Sequence, residues 1–139
     1  MKELVSFNDY VTASGKYPER LKSEELTKEV QDNIVKLLKV VNRALNDLGV
    51  ESVKVSSGFR PSEVNSAISN AAKRSAHQSG EAVDLLDDKD QSLCKLFTKD
   101  VLERYNLYRE DSDYTKGKNS NWPHVQIRPT KSGKRIFQP

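Results

Sequence analysis

Cysteine occurs once and histidine only twice in 139 residues. The lone thiol, Cys94, excludes an internal disulfide and a zinc site built from several cysteines. Long apolar runs are missing as well, and nothing approaches the ~20 consecutive apolar residues of a membrane-spanning helix. The opening MKELVSFNDY lacks the apolar heart of a secretory leader. The expectation is a chain that stays cytoplasmic as made, avoids membranes, and needs another agent to carry it to any target outside. Charge of one sign is not in excess either. Lys and Arg number 23 against 20 Asp and Glu, for a net +3, and the two signs are mixed without a basic stripe. That argues against nucleic acid as a partner. No repeat, low-complexity tract or linker divides the chain. Its length suits one domain over residues 1–139, expected to be a monomer.

What is present begins with a helical stripe. Leu26, Val30, Ile34, Leu37, Leu38, Val41, Leu45 and Leu48 recur at three- and four-residue steps, predicting a helix over residues 23–48. Ser23 is its expected N-cap, Glu24 and Glu25 suit the positive end of its dipole, and Gly49 its stop. SVKVSS, residues 52–57, alternates like a strand. Pro61 opens a shorter helix with Val64, Ala67, Ile68 and Ala71 on one side, and Leu93, Leu96, Phe97 and Val101 mark a third. Residues 82–86, AVDLL, form a short apolar run. Residues 105–109 and 123–128 and the final RIF read as further strands. Helices and strands alternate without regular βαβ spacing, which predicts an α+β fold with a small, mainly antiparallel sheet packed with helices.

One aspartate, Asp84, sits inside AVDLL, where an ionised carboxylate is costly unless paired or bound to a metal. His77 precedes it by seven residues, and Gly80 between them permits a turn that brings the two together. The other histidine, His124, opens the strand HVQI. Two imidazoles and a carboxylate from separate segments suit zinc, and three protein ligands leave a position open, as catalytic zinc sites do. Such a site also needs a proton acceptor and an oxyanion donor. Arg60, in SSGFRP, is a candidate donor, with bracing of its own loop as the plainer alternative. Cys94, beside Leu93 and Phe97, is expected in the core rather than on the metal, and Trp122 is expected to pack against the fold.

SSGFRP, SAHQSGEAVD and WPHVQI, in that order, resemble the zinc peptidase family of D-alanyl-D-alanine carboxypeptidases, D-Ala-D-Ala dipeptidases and phage L-alanyl-D-glutamate endopeptidases. The family's Ser-x-His-x-x-Gly-x-Ala-x-Asp pattern is matched at Ser75, His77, Gly80, Ala82 and Asp84, and its upstream Ser-Gly-x-Arg element at Ser57, Gly58 and Arg60. The resemblance covers about residues 52–128, and the ending SGKRIFQP is similar to phage relatives. It implies the hedgehog/DD-peptidase fold, with Zn2+ held by His77, Asp84 and His124. It implies Arg60 as a group binding substrate or transition state, and Ser75 as a polar residue near the substrate; a turn or capping role is the alternative for Ser75. The implied activity is hydrolysis of peptidoglycan stem peptides, of the D-Ala-D-Ala carboxypeptidase or L-Ala-D-Glu endopeptidase type. The implied setting is a phage system that carries the protein in the virion or releases it to the cell wall. The chain departs from the family at Asn121, where many members carry an acid three positions before the last histidine. Glu110 is the expected substitute base, as in phage relatives, with Asp111 and Asp113 as alternatives. Without a base, the chain would be a catalytically weak zinc-holding module of a virion or wall.

Overall fold

The computed structural model describes residues 1–67 and 75–139, and the side chains of all of these except 65–67. The element order is α1 (Phe7–Thr12), a 3-10 turn (Pro18–Lys22), α2 (Lys28–Asp47), β1 (Val55–Ser57), α3 (Ser62–Ala67), β2 (Ala82–Leu85), α4 (Ser92–Leu96), α5 (Lys99–Tyr105), β3 (Tyr108–Glu110), a 3-10 turn (Ser112–Tyr114), β4 (His124–Gln126) and β5 (Ile136–Phe137). Five strands form one sheet in the order β1-β2-β4-β3-β5. Every neighbouring pair is antiparallel except β3 and β5, which run parallel. The α+β class with a mainly antiparallel sheet is therefore observed. Among the described residues no helix is long and apolar enough to cross a membrane.

The stripe on α2 does what its period requires. Ile34, Leu37, Leu38, Val41, Ala44 and Leu45 are buried against the sheet and α5 in one hydrophobic cluster with Val83, Leu85, Phe97, Leu102, Leu107 and Val125. Each fully buried leucine or isoleucine contributes roughly 1.5–3 kcal/mol relative to exposure. The helix begins later than the sequence predicts. Thr27 is the N-cap, its hydroxyl accepting the Val30 N–H, whereas Ser23 closes the preceding 3-10 turn. Glu25 lies outside the helix, and its carboxylate accepts the Ser62 N–H at 2.9 Å. Leu48 ends the helix and Gly49 follows with φ +77°.

The expected third helix is two helices. Thr98 takes an extended conformation and caps α5 through the Val101 N–H, which a residue inside a continuous helix cannot do. Tyr105, expected to begin a strand, ends α5, and left-handed Asn106 turns the chain into β3. The expected strands at 52–57 and 82–86 shorten to β1 and β2, and Leu86 is 45% exposed. α3 starts directly after Pro61 as expected; Ile68, Ala71 and the side chain of Ala67 lie outside the described residues.

Gly80 marks where the turn after residue 75 rests on α2. Its φ is +77°, and a Cβ there would lie 2.6 Å from Ile34 Cγ1 and 2.8 Å from the Val30 carbonyl oxygen. Gly80→Ala combines left-handed strain of about 1–2 kcal/mol with overpacking of about 1–3 kcal/mol. The expected result is a loss of at least about 2 kcal/mol in urea unfolding; an unchanged midpoint would contradict this packing.

Candidate metal centre

The register of the sheet builds the site. Ser57 on β1 stands opposite Asp84 on β2, and Asp84 opposite His124 on β4. On β3 the pairs are Tyr108 with Gln126 and Arg109 with Val125. One further antiparallel step sets Glu110 opposite His124, and Glu110 in turn faces Phe137 on β5. Side chains directly opposite each other share a face and lie about 5 Å apart. A transverse row of the sheet thus collects an aspartate, a histidine and a glutamate from strands distant in sequence. Val83, Leu85 and Val125 alternate to the other face and join the core.

His77 arrives from the turn above this row. Its backbone N–H donates to Ser75 Oγ at 3.1 Å, and its carbonyl accepts the Arg60 N–H at 3.2 Å. Its ring Nδ1 lies 2.8 Å from the Gly58 carbonyl oxygen. A carbonyl only accepts, so the ring hydrogen is on Nδ1 and the Nε2 lone pair is free. Gly58 is held tightly: a Cβ at that position would lie 2.0 Å from the Tyr10 carbonyl oxygen. Tyr10 is fully buried and its hydroxyl donates to the Ala82 carbonyl at 2.7 Å, so α1 braces both the Gly58 loop and β2. α1 and Tyr10 leave no periodic mark in the sequence, since six residues span less than two helical turns.

His77, Asp84 and His124 are all buried, and one donor atom from each lies within 4.8 Å of the others. Asp84 Oδ1 is 2.9 Å from His124 Nδ1 and 3.3 Å from His77 Nε2, while Oδ2 accepts from Arg60 Nη2 at 3.2 Å. The contact to His77 has ion-pair distance but not hydrogen-bond geometry, so among the described residues His77 Nε2 is a buried nitrogen without a hydrogen-bond partner. A lone pair in that position beside a carboxylate oxygen and a second imidazole is what a metal ion satisfies. The residues fit the group.

Protonation follows from the same contacts. Burial lowers the pKa of His77, opposed only in part by Asp84. Burial pushes Asp84 up, but the neighbouring imidazoles outweigh it and hold the carboxyl well below the usual range. His124 is raised despite burial, because Asp84 accepts from it. Its Nε2 also faces an acceptor, Gln126 Oε1, at 2.7 Å. Both ring nitrogens meet oxygens, so metal-free His124 is favoured as the imidazolium. Metal binding must then displace the proton on Nδ1. Affinity is expected to rise with pH up to the raised pKa of His124, with proton release on binding below it. Calorimetry in buffers of different ionisation enthalpy measures this, and binding that releases no proton below pH 6.5, the ordinary value, would contradict the contact scheme. In the metal-free protein the sign is opposite. The raised pKa contributes stability that is present below the ordinary value of 6.5 and is lost as pH rises through the folded value.

The remaining candidate residues fall into two groups. Glu110 is beside the cluster, its Oε2 4.0 Å from His124 Nδ1, and burial raises its carboxyl, with the Asp84 charge acting the same way and His124 opposing. Arg60 is also at the site: Nε donates to Ser57 Oγ at 2.9 Å, Nη2 to Asp84, and among the described residues its Nη1 donates to no protein atom. Ser75 is buried, its hydroxyl oxygen accepting from the His77 N–H. Asp111 caps the 3-10 turn that follows β3. Asp113 is mostly exposed, 3.6 Å from Lys116. Asn121 braces loops instead, donating to the Asp88 and Lys89 carbonyls and accepting from Gly117. Cys94 is buried as expected, apart from the cluster, and accepts from Arg109 Nη1 at 3.2 Å. Trp122 is half-buried with its ring against Gly117.

Two neighbours escaped the sequence reading. Phe137 meets the His124 ring edge-on, with centroids 6.0 Å apart, and only the parallel pairing of β3 with β5 brings it there. Gln126 was legible in principle, since period-two alternation places it on the same face as His124.

A buried imidazole–carboxylate–imidazole set, flanked by a second carboxyl and a guanidinium, defines a protein able to hold a single metal ion beside an acid and a cation. The family model for Peptidase M15 matches residues 17–125, and the chain belongs to that family of peptidases. No curated protein matches it.

Proposed function

We propose that the protein is a zinc peptidase that hydrolyses peptide bonds in peptidoglycan stem peptides, of the D-Ala-D-Ala carboxypeptidase or L-Ala-D-Glu endopeptidase type. The observation that carries the metal-dependent part is the buried meeting of His77, Asp84 and His124 around His77 Nε2, which has no hydrogen-bond partner among the described residues. Family membership supports the peptidase part. The wall substrate and a phage setting rest on the resemblance of SAHQSGEAVD and its flanking motifs.

His77, Asp84 and His124 would hold the ion. When bound, zinc supplies a Lewis acid and lowers the pKa of water to roughly 7. The chain's own residues account for the rest. Glu110, its carboxyl raised toward neutrality by burial, takes the proton of the water that attacks the scissile carbonyl carbon. As the carbon–oxygen bond forms, Arg60 Nη1 donates to the developing oxyanion. Glu110 then returns the proton to the amine nitrogen as the carbon–nitrogen bond breaks. Asp84 keeps Arg60 aimed at the site while its other oxygen accepts from His124.

Purified peptidoglycan incubated with the zinc-loaded protein, with and without chelator, tests this reading. New amino termini or released D-alanine, read by mass spectrometry and abolished by chelator, are expected. Intact wall under both conditions would leave a zinc-holding module without wall turnover.

A further inference from the structure

Gln126 is 7% exposed, two residues beyond His124 on the same face of β4. Its carboxamide makes two contacts of opposite polarity. Nε2 donates to the Arg128 carbonyl at 2.8 Å, and Oε1 meets His124 Nε2 at 2.7 Å. Because the Arg128 carbonyl can only accept, the amide has one orientation, and the oxygen it turns to His124 demands a hydrogen on Nε2. The two imidazoles are thus held by opposite nitrogens: His77 through Nδ1 on Gly58, His124 through Nε2 on Gln126.

The choice matters because Asp84 competes for it. With Oδ1 only 2.9 Å from His124 Nδ1, Asp84 alone favours a neutral ring carrying its hydrogen on Nδ1. That tautomer covers the lone pair an ion needs. An acceptor on the far nitrogen keeps a hydrogen on Nε2, so that the nitrogen left to the ion is Nδ1, as outer partners of metal-bound imidazoles do.

We propose that Gln126 is a positioning residue of the metal centre, locking His124 in the rotation and tautomer that offer Nδ1 to the ion. The inference rests on reading His124 as a ligand, and it adds a residue that neither the motif nor the acid–base chemistry calls for. The Arg128 carbonyl is part of the device, since it fixes which end of the amide faces the ring.

The test uses full-length protein with 15N-labelled histidine, the variants Gln126→Met (similar length, no comparable acceptor) and Gln126→Glu (acceptor kept), and zinc alone as the probe. Long-range proton–nitrogen correlation spectra report which ring nitrogen of His124 carries hydrogen. Competition with a chromophoric chelator reports affinity. Zinc-loaded wild type is expected to keep its hydrogen on Nε2. Gln126→Met is expected to bind zinc roughly 10–100-fold more weakly, with the neutral metal-free ring shifted toward the Nδ1–H form, and Gln126→Glu to recover most of the affinity. A zinc-loaded wild type with hydrogen on Nδ1 overturns the inference whether or not a variant folds. Wild-type affinity in Gln126→Met with Nε2–H retained overturns it too, while leaving the metal reading intact. A wild type that takes up no zinc overturns the metal reading itself, and this inference with it.

Discussion

On the proposed wall-peptide substrate, Glu110→Gln is expected to lower turnover roughly 10²–10⁴-fold, the usual contribution of a positioned general base, while zinc affinity stays close to that of the wild type. The carboxyl lies beside His124 but outside the three-donor set, so its loss removes proton transfer and leaves the ligands in place. Stability should change in the opposite direction to activity. Burial disfavours the ionised carboxyl at this position, so an uncharged amide of the same shape relieves that cost at neutral pH. Steady-state rates, zinc titration and thermal unfolding of the same preparation separate the three effects. Equal turnover in Glu110→Gln would remove this residue from the mechanism. The neighbouring acids then offer little, with Asp111 capping a turn and Asp113 out in solvent.

Asp84→Asn is expected to do the greatest damage of any single substitution at the site. Asp84 accepts from the His124 ring and from the Arg60 guanidinium at once and lies 3.3 Å from His77 Nε2, and all four side chains are largely withdrawn from water. The amide is nearly isosteric, so packing is preserved, yet the charge that balances Arg60 and the His124 imidazolium is gone. Breaking a buried pair in this way typically costs about 3–5 kcal/mol, and a chain of this size has about 5–15 kcal/mol in total. Zinc affinity should fall at least about 100-fold, beyond the roughly 10–100-fold expected for loss of an outer-shell partner. His77→Ala is the useful contrast. It removes a ligand whose ring is neutral in the metal-free protein, so zinc should be lost without the electrostatic penalty carried by Asp84→Asn. Should Asp84→Asn unfold at the wild-type denaturant concentration, Asp84 would not be the electrostatic hub described above.

The sequence carried the site further than it carried the fold's edges. His77, Gly80 and Asp84 were readable because their constraints are local: a left-handed glycine against α2 and a carboxylate inside an apolar strand. His124 was readable because the chain has only one other histidine to pair it with. α2 announced itself through apolar positions at helical spacing, although Thr27 rather than Ser23 caps it and Leu26 and Leu48 fall just outside it. The break between α4 and α5 was hidden, since Leu93, Phe97 and Val101 keep helical spacing across it and only Thr98 marks the restart. Strand pairing was hidden too. No local pattern shows that β3 pairs with both β4 and β5, and that pairing sets Glu110 and Phe137 beside His124. The resemblance pointed to Glu110; the register supplies the physical reason for its position.

Zinc K-edge X-ray absorption on protein reconstituted with the metal tests the central claim most directly. One ion per chain is expected, with a first shell of two imidazole nitrogens at about 2.0–2.1 Å, carboxylate oxygen at about 2.0–2.2 Å, and a further light atom from solvent. The same spectrum should be absent from His77→Ala. A sulfur scatterer at about 2.3 Å, four protein ligands, or failure to take up stoichiometric zinc would contradict the account.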